Sequence, residues 1–265
     1  MFKKFLVPLL VAFVFTFGMK SACADLLTGS DVFSEAYFHF INDKVNSGYR
    51  FASPIKGTNL TTGQSMTVFC ADQYTPLSDN YMNPAIGQQY TGTTLVSSEL
   101  FTDHQKTAVS SLFSHVYSSV FDVVTVKAPA ALAFQLAVWE IMHETSGYWG
   151  ITTGKFGIDQ ARDANGKLDT ALYNEVTKLT NNWLAASLNE SLWTGLGYGK
   201  TDLEVYVYVA EGGTHASQTI LSTTEPNRVE TSETPEAITP EPASMLMAGI
   251  GLLAFPFARR VLRKK

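Results

Sequence analysis

Cysteine is nearly missing from this chain: 265 residues hold two, Cys23 and Cys70. That excludes a small fold stapled by a framework of disulfides. Basic residues are scarce away from the ends. Of the 19 Lys and Arg, three (Lys3, Lys4, Lys20) precede Asp25 and five (Arg259, Arg260, Arg263, Lys264, Lys265) follow Glu241. All 24 acidic residues lie from Asp25 to Glu241, where the remaining 11 basic residues oppose them, so that stretch carries a net charge of −13. Without clustered Lys or Arg it cannot neutralise phosphates, which excludes nucleic acid as a partner. No His-Glu-x-x-His occurs and no segment repeats, so neither a zinc-protease helix nor a solenoid is written here.

What is present sits first at the two ends. Lys3 and Lys4 precede an apolar run from Phe5 to Phe17, and Ala22-Cys23-Ala24 supplies a small-x-small cleavage pattern. Residues 1–24 therefore read as a signal peptide, with the mature chain beginning near Asp25. Lys20-Ser21-Ala22 is not the small aliphatic run that a lipoprotein cysteine requires, so Cys23 leaves with the peptide. Cys70 is then the single thiol of an exported chain: a buried inert group, half of an intermolecular disulfide, or a partner in another covalent bond. At the other end Pro240-Glu241-Pro242 precedes an apolar stretch from Ala243 to Ala258 and then the basic cluster. This is a membrane-length segment whose positive end stays cytoplasmic.

That tail, residues 240–265, resembles the PEP-CTERM sorting signal of Gram-negative bacteria. The resemblance implies an exosortase-type membrane transpeptidase as processing partner, and the membrane as a transient one through the C-terminal segment. It also implies a destination at the cell surface or in an exopolysaccharide or biofilm matrix. Residues 214–239, rich in Ser, Thr, Glu and Pro, read as a disordered spacer.

Between the ends, residues 25–213 are enough for a sizeable core. The pattern predicts an α+β domain: a β-rich N-terminal part, an inserted group of about three helices and a returning C-terminal strand. Tyr37, Phe38, Phe40, Ile41, Tyr49 and Phe51 mark one or two strands, Pro54–Gly63 a turn-rich break, and Ser65–Cys70 a short strand. Pro76–Gln89 reads as a long loop and Gln89–Leu95 as a returning strand. Helical spacing begins at Asp103, with Thr102 or Asp103 as cap, and continues through Val120. Pro129 opens a second helix to Glu144, apolar nearly all round and hence buried. A third runs from Lys167 to Ala186, and Leu203–Val209 is a strand of strong β propensity.

Two blocks stand out: Val68-Phe69-Cys70-Ala71-Asp72 at a strand end and Phe134-Gln135-Leu136-Ala137-Val138-Trp139-Glu140 near a helix start. Together they resemble the thioester domains of bacterial surface adhesins, in which a strand-end Cys joins a Gln in a Gln-x-Ala-aliphatic-Trp context. The resemblance puts Cys70 on the family's cysteine and Gln135 on its glutamine. Phe134 departs from it, standing where the adhesin pattern has a small polar residue such as Thr. It implies a cross-link formed when the Cys70 thiol displaces ammonia from Gln135, shielded from water by Phe69, Phe134 and Trp139. A matrix polysaccharide or surface protein bearing an amine or hydroxyl is then the target. Such a device reacts once and needs no cofactor or metal, so it is not an enzyme.

Other readings stay open on the residues alone. Cys70, Gln135 and Trp139 are also ordinary core groups, which would leave a non-covalent matrix- or exopolysaccharide-binding module. His104, His115 and His143 are candidate partners for Cys70 in a cysteine-dependent hydrolase. Glu140 and His143 form an i, i+3 pair without a second such pair to complete a metal site. Asp159, Asp163 and Asp169 share a polar loop that lacks the closing glutamate of an EF-hand. Tyr206 and Tyr208 share a strand face that would suit a glycan. No motif assigns Trp149, Trp183 or Trp193.

Overall fold

The computed structural model describes residues 24–226 apart from 33–35, 42–47, 73–74, 78, 80, 82–86, 124, 145–148, 153–155 and 212–217. The signal peptide before residue 24, residues 227–239 of the spacer and the sorting signal with its apolar segment lie outside the described residues. Among those described, no helix is long and apolar enough to cross a membrane.

The order of elements is β1 (Ala24–Val32), β2 (Tyr37–Ile41), β3 (Gly48–Phe51), β4 (Ile55–Asn59), β5 (Gln64–Cys70) and β6 (Gln88–Thr94). There follow α1 (Asp103–Phe121), α2 (Ala128–His143), β7 (Gly157–Arg162), α3 (Thr170–Leu188), α4 (Leu192–Leu196), β8 (Tyr206–Ala210) and β9 (Ile220–Ser222). Six strands close into an antiparallel barrel in the order β1-β4-β5-β9-β8-β6, and β3-β2-β7 form a second sheet. The fold is α+β, with a β-rich first half, three long helices and returning strands.

Three segments depart from the sequence reading. The break expected over Pro54–Gly63 contains β4, and only its end is a turn. There Gly63 takes φ +74° and the Asn59 side chain accepts from Thr61 and Thr62 N–H. β4 escaped notice because two of its inward positions are Gly57 and Asn59 rather than apolar residues. A Cβ on Gly57 would lie 3.0 Å from the Thr28 carbonyl oxygen, and Asn59 Nδ2 donates to buried Asp25 at 2.9 Å. The expected polar loop from Asp159 to Asp169 begins inside β7, which runs to Arg162. Asp159 pairs with His39 at 2.8 Å, Asp163 accepts two N–H groups of a turn, and Asp169 caps α3, so each acidic residue has structural work. Finally, β9 lies inside the expected spacer, which therefore does not begin at residue 214. One returning strand was expected and two are found.

The helices follow their sequence signals closely. Thr102 and Gln105 form a reciprocal capping box on α1, and Gln105 Nε2 also donates to Ile141 and Met142 carbonyls at the end of α2. Every residue of α2 from Ala131 to Ile141 is buried. Against it Phe69 of β5 meets Phe134, Phe121 and Phe113 with ring centroids 4.8, 5.1 and 5.2 Å apart, and Trp183 of α3 closes on Phe134 at 6.4 Å. Aromatic pairs of this kind contribute about 0.5–1.5 kcal/mol each beyond their buried area, which fixes α2 firmly on β5.

Candidate functional site

α2 and β5 meet at Cys70, the last residue of its strand. On one side Cys70 pairs with Ile220 of β9, and the next residue, Ala71, still donates to the Thr219 carbonyl at 2.9 Å. On the other side β4 starts only at Ile55, opposite Val68, after a proline that has no N–H to donate. The backbone of Cys70 is thus left without a strand partner there. The carboxamide of Gln135 takes that place: Cys70 N–H donates to Oε1 at 3.0 Å, and Nε2 donates back to the Cys70 carbonyl at 2.8 Å. One side chain acts as a single residue of β-strand, and this satisfies a fully buried glutamine in an otherwise apolar helix face.

The arrangement has chemical content. The Cys70 N–H polarises the Gln135 carbonyl and would hold the oxygen more strongly as charge develops on it, as an oxyanion donor does. Burial first, then the Asp72 carboxylate, push the Cys70 thiol up to about 12, while a hydrogen bond from Gln218 works the other way. At neutral pH the group therefore keeps its proton. A buried thiol of this kind is a poor hydrolase nucleophile, which needs a depressed pKa beside an imidazole. It does carry the proton that a departing amide nitrogen requires.

The three expected shielding aromatics divide. Side chains alternate along β5, so Phe69 and Cys70 point to opposite faces, and Phe134 follows Phe69 into the helix core. Trp139 alone lines the cleft that opens on Cys70, which encloses about 310 Å³ together with Arg50, Asp72, Thr75 and Gln218. Thr75 donates to Asp72 Oδ2 at 2.6 Å, and His143 Nε2 stands 3.9 Å from Asp72 Oδ1. His104 is stacked on Trp149 at 4.7 Å and His115 on Trp193 at 4.8 Å. Those contacts give Trp149 and Trp193 packing roles, as the core gives Trp183. Tyr206 and Tyr208 are buried rather than offered to a ligand. Glu140 takes the Gly150 N–H at 2.8 Å on its Oε1.

Gln218 is the site residue that sequence reasoning missed. Its one signal was the β-prone run Thr219-Ile220-Leu221, too short to stand out in a Ser- and Thr-rich stretch. Continuing the β5–β9 register past Cys70 and Ile220 sets Gln218 across from Asp72 at the mouth of the cleft.

Among solved structures the chain is similar to the N-terminal thioester domain of fibronectin-binding protein SfbI from Streptococcus pyogenes. Identity is 11% and the TM-score 0.41, over 73% of this chain and 95% of that one. It is also similar to the N-terminal domain of the Streptococcus pyogenes pilus tip adhesin Cpa, at 13% identity and TM-score 0.41, over 74% and 96%. A third is the N-terminal thioester domain of a protein F2 like fibronectin-binding protein from Streptococcus pneumoniae, at 12% and TM-score 0.36, over 75% and 96%. No curated protein matches the chain. Residues 239–264 match the PEP-CTERM protein-sorting motif, which marks an exported protein, processed by an exosortase and sorted through the membrane to the cell surface.

Proposed function

We propose that the domain forms an internal thioester between Cys70 and Gln135 and uses it once, for covalent attachment to an amine or hydroxyl on a matrix polysaccharide or surface protein. The observation that carries this reading is the two-bond docking of the Gln135 carboxamide on the Cys70 backbone. In formation, Sγ attacks Cδ of Gln135, the S–Cδ bond replaces Cδ–Nε2, and the thiol proton leaves with the nitrogen as ammonia. In attachment, an incoming amine or hydroxyl displaces Sγ from Cδ, and its proton returns to the sulfur. The protein ends joined through residue 135 with a free thiol, so it does not turn over and is not an enzyme.

In this reading residues 1–24 are removed on export and the attachment domain runs from Asp25 to at least Pro226. A shortened spacer leads from there to the sorting signal of residues 240–265, and the mature protein stands on the surface or in the matrix of a Gram-negative bacterium. The test is the intact mass of the full chain beside Cys70→Ala. The expected wild-type mass is short by one ammonia, and the deficit is absent from the variant and reversed by a small amine. A full mass, with glutamine still at position 135 by peptide mapping, would overturn the reading. It would leave a non-covalent matrix-binding module with an inert cysteine.

A further inference from the structure

Two glutamines meet Cys70, and only one of them has both ends bonded among the described residues. Gln135 has both ends of its carboxamide on the Cys70 backbone. Gln218 comes from the opposite side, just before β9, where its amide is near enough to the Cys70 thiol to oppose the rise in its pKa. Its other end does not follow suit: Oε1 is buried with no hydrogen-bond partner among the described residues, in a side chain that is 7% exposed. Gln218 also lines the cleft that opens on Cys70. A glutamine retained for packing alone would have both ends engaged, as Gln135 has, or would be replaced by an apolar residue of the same size. A buried acceptor without a partner among the described residues, in a side chain that lines the same cleft as Cys70, is placed for a donor that arrives from outside.

We propose that Gln218 is a catalytic residue of the attachment step and that the nucleophile it serves is a primary amine; this rests on the thioester reading above. Oε1 accepts an N–H of the amine as its lone pair attacks Cδ of Gln135, and Nε2 donates to Sγ as the S–Cδ bond breaks. The N–Cδ bond forms, the sulfur leaves with the bonding pair, and the amine's proton ends on the sulfur, so the exchange is redox-neutral and needs no co-reactant. A carboxamide is not basic enough to strip a proton from a hydroxyl, but it orients an N–H well, and an amine brings its own nucleophilic lone pair. Asp72, fixed by Thr75, stands at the same mouth and draws amines toward it, and it is their neutral, unprotonated form whose lone pair attacks. Arg50 lines the same cleft and His143 approaches Asp72, so selection falls on the local geometry at Oε1 rather than on net charge.

The test compares wild type, Gln218→Leu and Gln218→Glu as full chains, each shown to be folded by its melting curve. Two quantities are read by mass: the fraction carrying the ammonia deficit before any addition, and the rate at which methylamine is taken up at residue 135. Both variants are expected to keep the deficit, while the methylamine rate falls by roughly 10- to 100-fold in Gln218→Leu, the scale of losing one hydrogen bond to a group that becomes charged. Gln218→Glu, which keeps an acceptor and loses the amide donor, is expected to fall between. Glycerol in place of methylamine should give no adduct. An unchanged methylamine rate in Gln218→Leu would overturn the proposal, as would equal uptake of glycerol. If neither variant forms the thioester, Gln218 serves bond formation instead and the proposal fails. A wild type without the deficit sinks the thioester itself, an outcome separable from all of these because it is read before amine is added.

Discussion

The cleft between α1 and the segment before β8 encloses about 480 Å³, against about 310 Å³ for the one that ends on Cys70. The larger cleft is the more polar to the eye, lined by Ser111, Glu190, Lys200 and Thr201 among others. Those four side chains are committed to partners within the fold. Ser111 donates to Glu190 at 2.9 Å and receives the Trp193 indole N–H at 2.9 Å, Thr201 donates to the Ser114 carbonyl at 2.6 Å, and Glu190 faces Lys200 at 3.6 Å and His115 at 3.3 Å. In the smaller cleft Gln218 Oε1 and Trp139 Nε1 are buried without partners among the described residues. An unmet buried acceptor costs about 1–3 kcal/mol, so a fold that keeps one has a use for it. Volume therefore ranks these two clefts the wrong way round, and the state of the polar groups ranks them usefully.

The comparison is broken most directly at Gln135. Gln135→Glu keeps the shape but sets a carboxylate oxygen against the Cys70 carbonyl, where Nε2 now donates at 2.8 Å. The ammonia deficit should vanish entirely, and in a Cys70→Ala background, where the carboxamide stays intact, stability should fall by roughly 3 kcal/mol, the cost of a buried polar pair turned repulsive. Denaturant melts of the two chains measure it. A double variant that melts like Cys70→Ala alone would mean that the docking of α2 on β5 does not depend on this pair.

Glu140 tests whether an unmet buried group always marks a site. It lines neither cleft, yet its Oε2 is buried without a partner among the described residues. Burial, opposed by the Gly150 N–H and helped by Glu144, pushes its carboxyl up from 4.5 to about 8. The folded chain thus keeps a proton that the unfolded chain releases. The stability this lends is full below about pH 4.5 and drains away as pH rises through about 8. Between pH 5 and 7 wild type should lose about 2–3 kcal/mol relative to Glu140→Gln, which cannot ionise and keeps the acceptor for Gly150. Parallel pH profiles of melting for the two chains would show instead that Glu140 ionises freely in the fold. Here protonation answers the unmet oxygen, an option not open to the neutral amide of Gln218.

These cases also show which parts of the molecule could be read in the sequence. β5 and α2 are written in side chains whose type matches their environment: Met66, Val68 and Phe69 on a strand, and a continuous apolar helix behind Pro129. Cys70 and Gln135 were singled out by the resemblance of their two blocks to the adhesin thioester domains; their residue types alone mark them only as ordinary core groups. β4 and β7 were not, since Gly57 and Asn59 fill inward places in one, and Asp159 and Gln160 face outward in the other. β9 has three residues, and its place depends on a register with β5 that spans 150 residues of chain. Gln218 inherits that obscurity: what makes it interesting is a missing partner, which no spacing encodes.

Whether residues 218–226 belong to the fold decides whether Gln218 has a firm seat, and Gly92 reports on it. A Cβ on Gly92 of β6 would run into the Pro226 ring, with Pro226 Cβ 2.6 Å away. Both contacts are ring atoms that cannot swing aside. Gly92→Ala should cost about 1–3 kcal/mol, typical of overpacking, and should slow methylamine uptake if displacement of the 220s reaches Gln218. An alanine variant as stable as wild type would place Pro226 outside the packed domain.

The gentlest test lies in the larger cleft. Glu190 holds Ser111, His115 and Lys200 together, but its side chain is 56% exposed, so water readily replaces each contact that Glu190→Ala removes. Exposed pairs of this sort are worth about 0–1 kcal/mol, and the melting shift should stay within that range. His115 keeps its stack on Trp193 and its bond to the Ser111 carbonyl at 2.9 Å, so the wall of the cleft has no reason to collapse. The ammonia deficit and the methylamine rate should both match wild type, because nothing in this network reaches Cys70. A fall in either would mean that the two clefts communicate through α1, and that satisfied polar groups at one end of the helices can still govern the unmet one at the other.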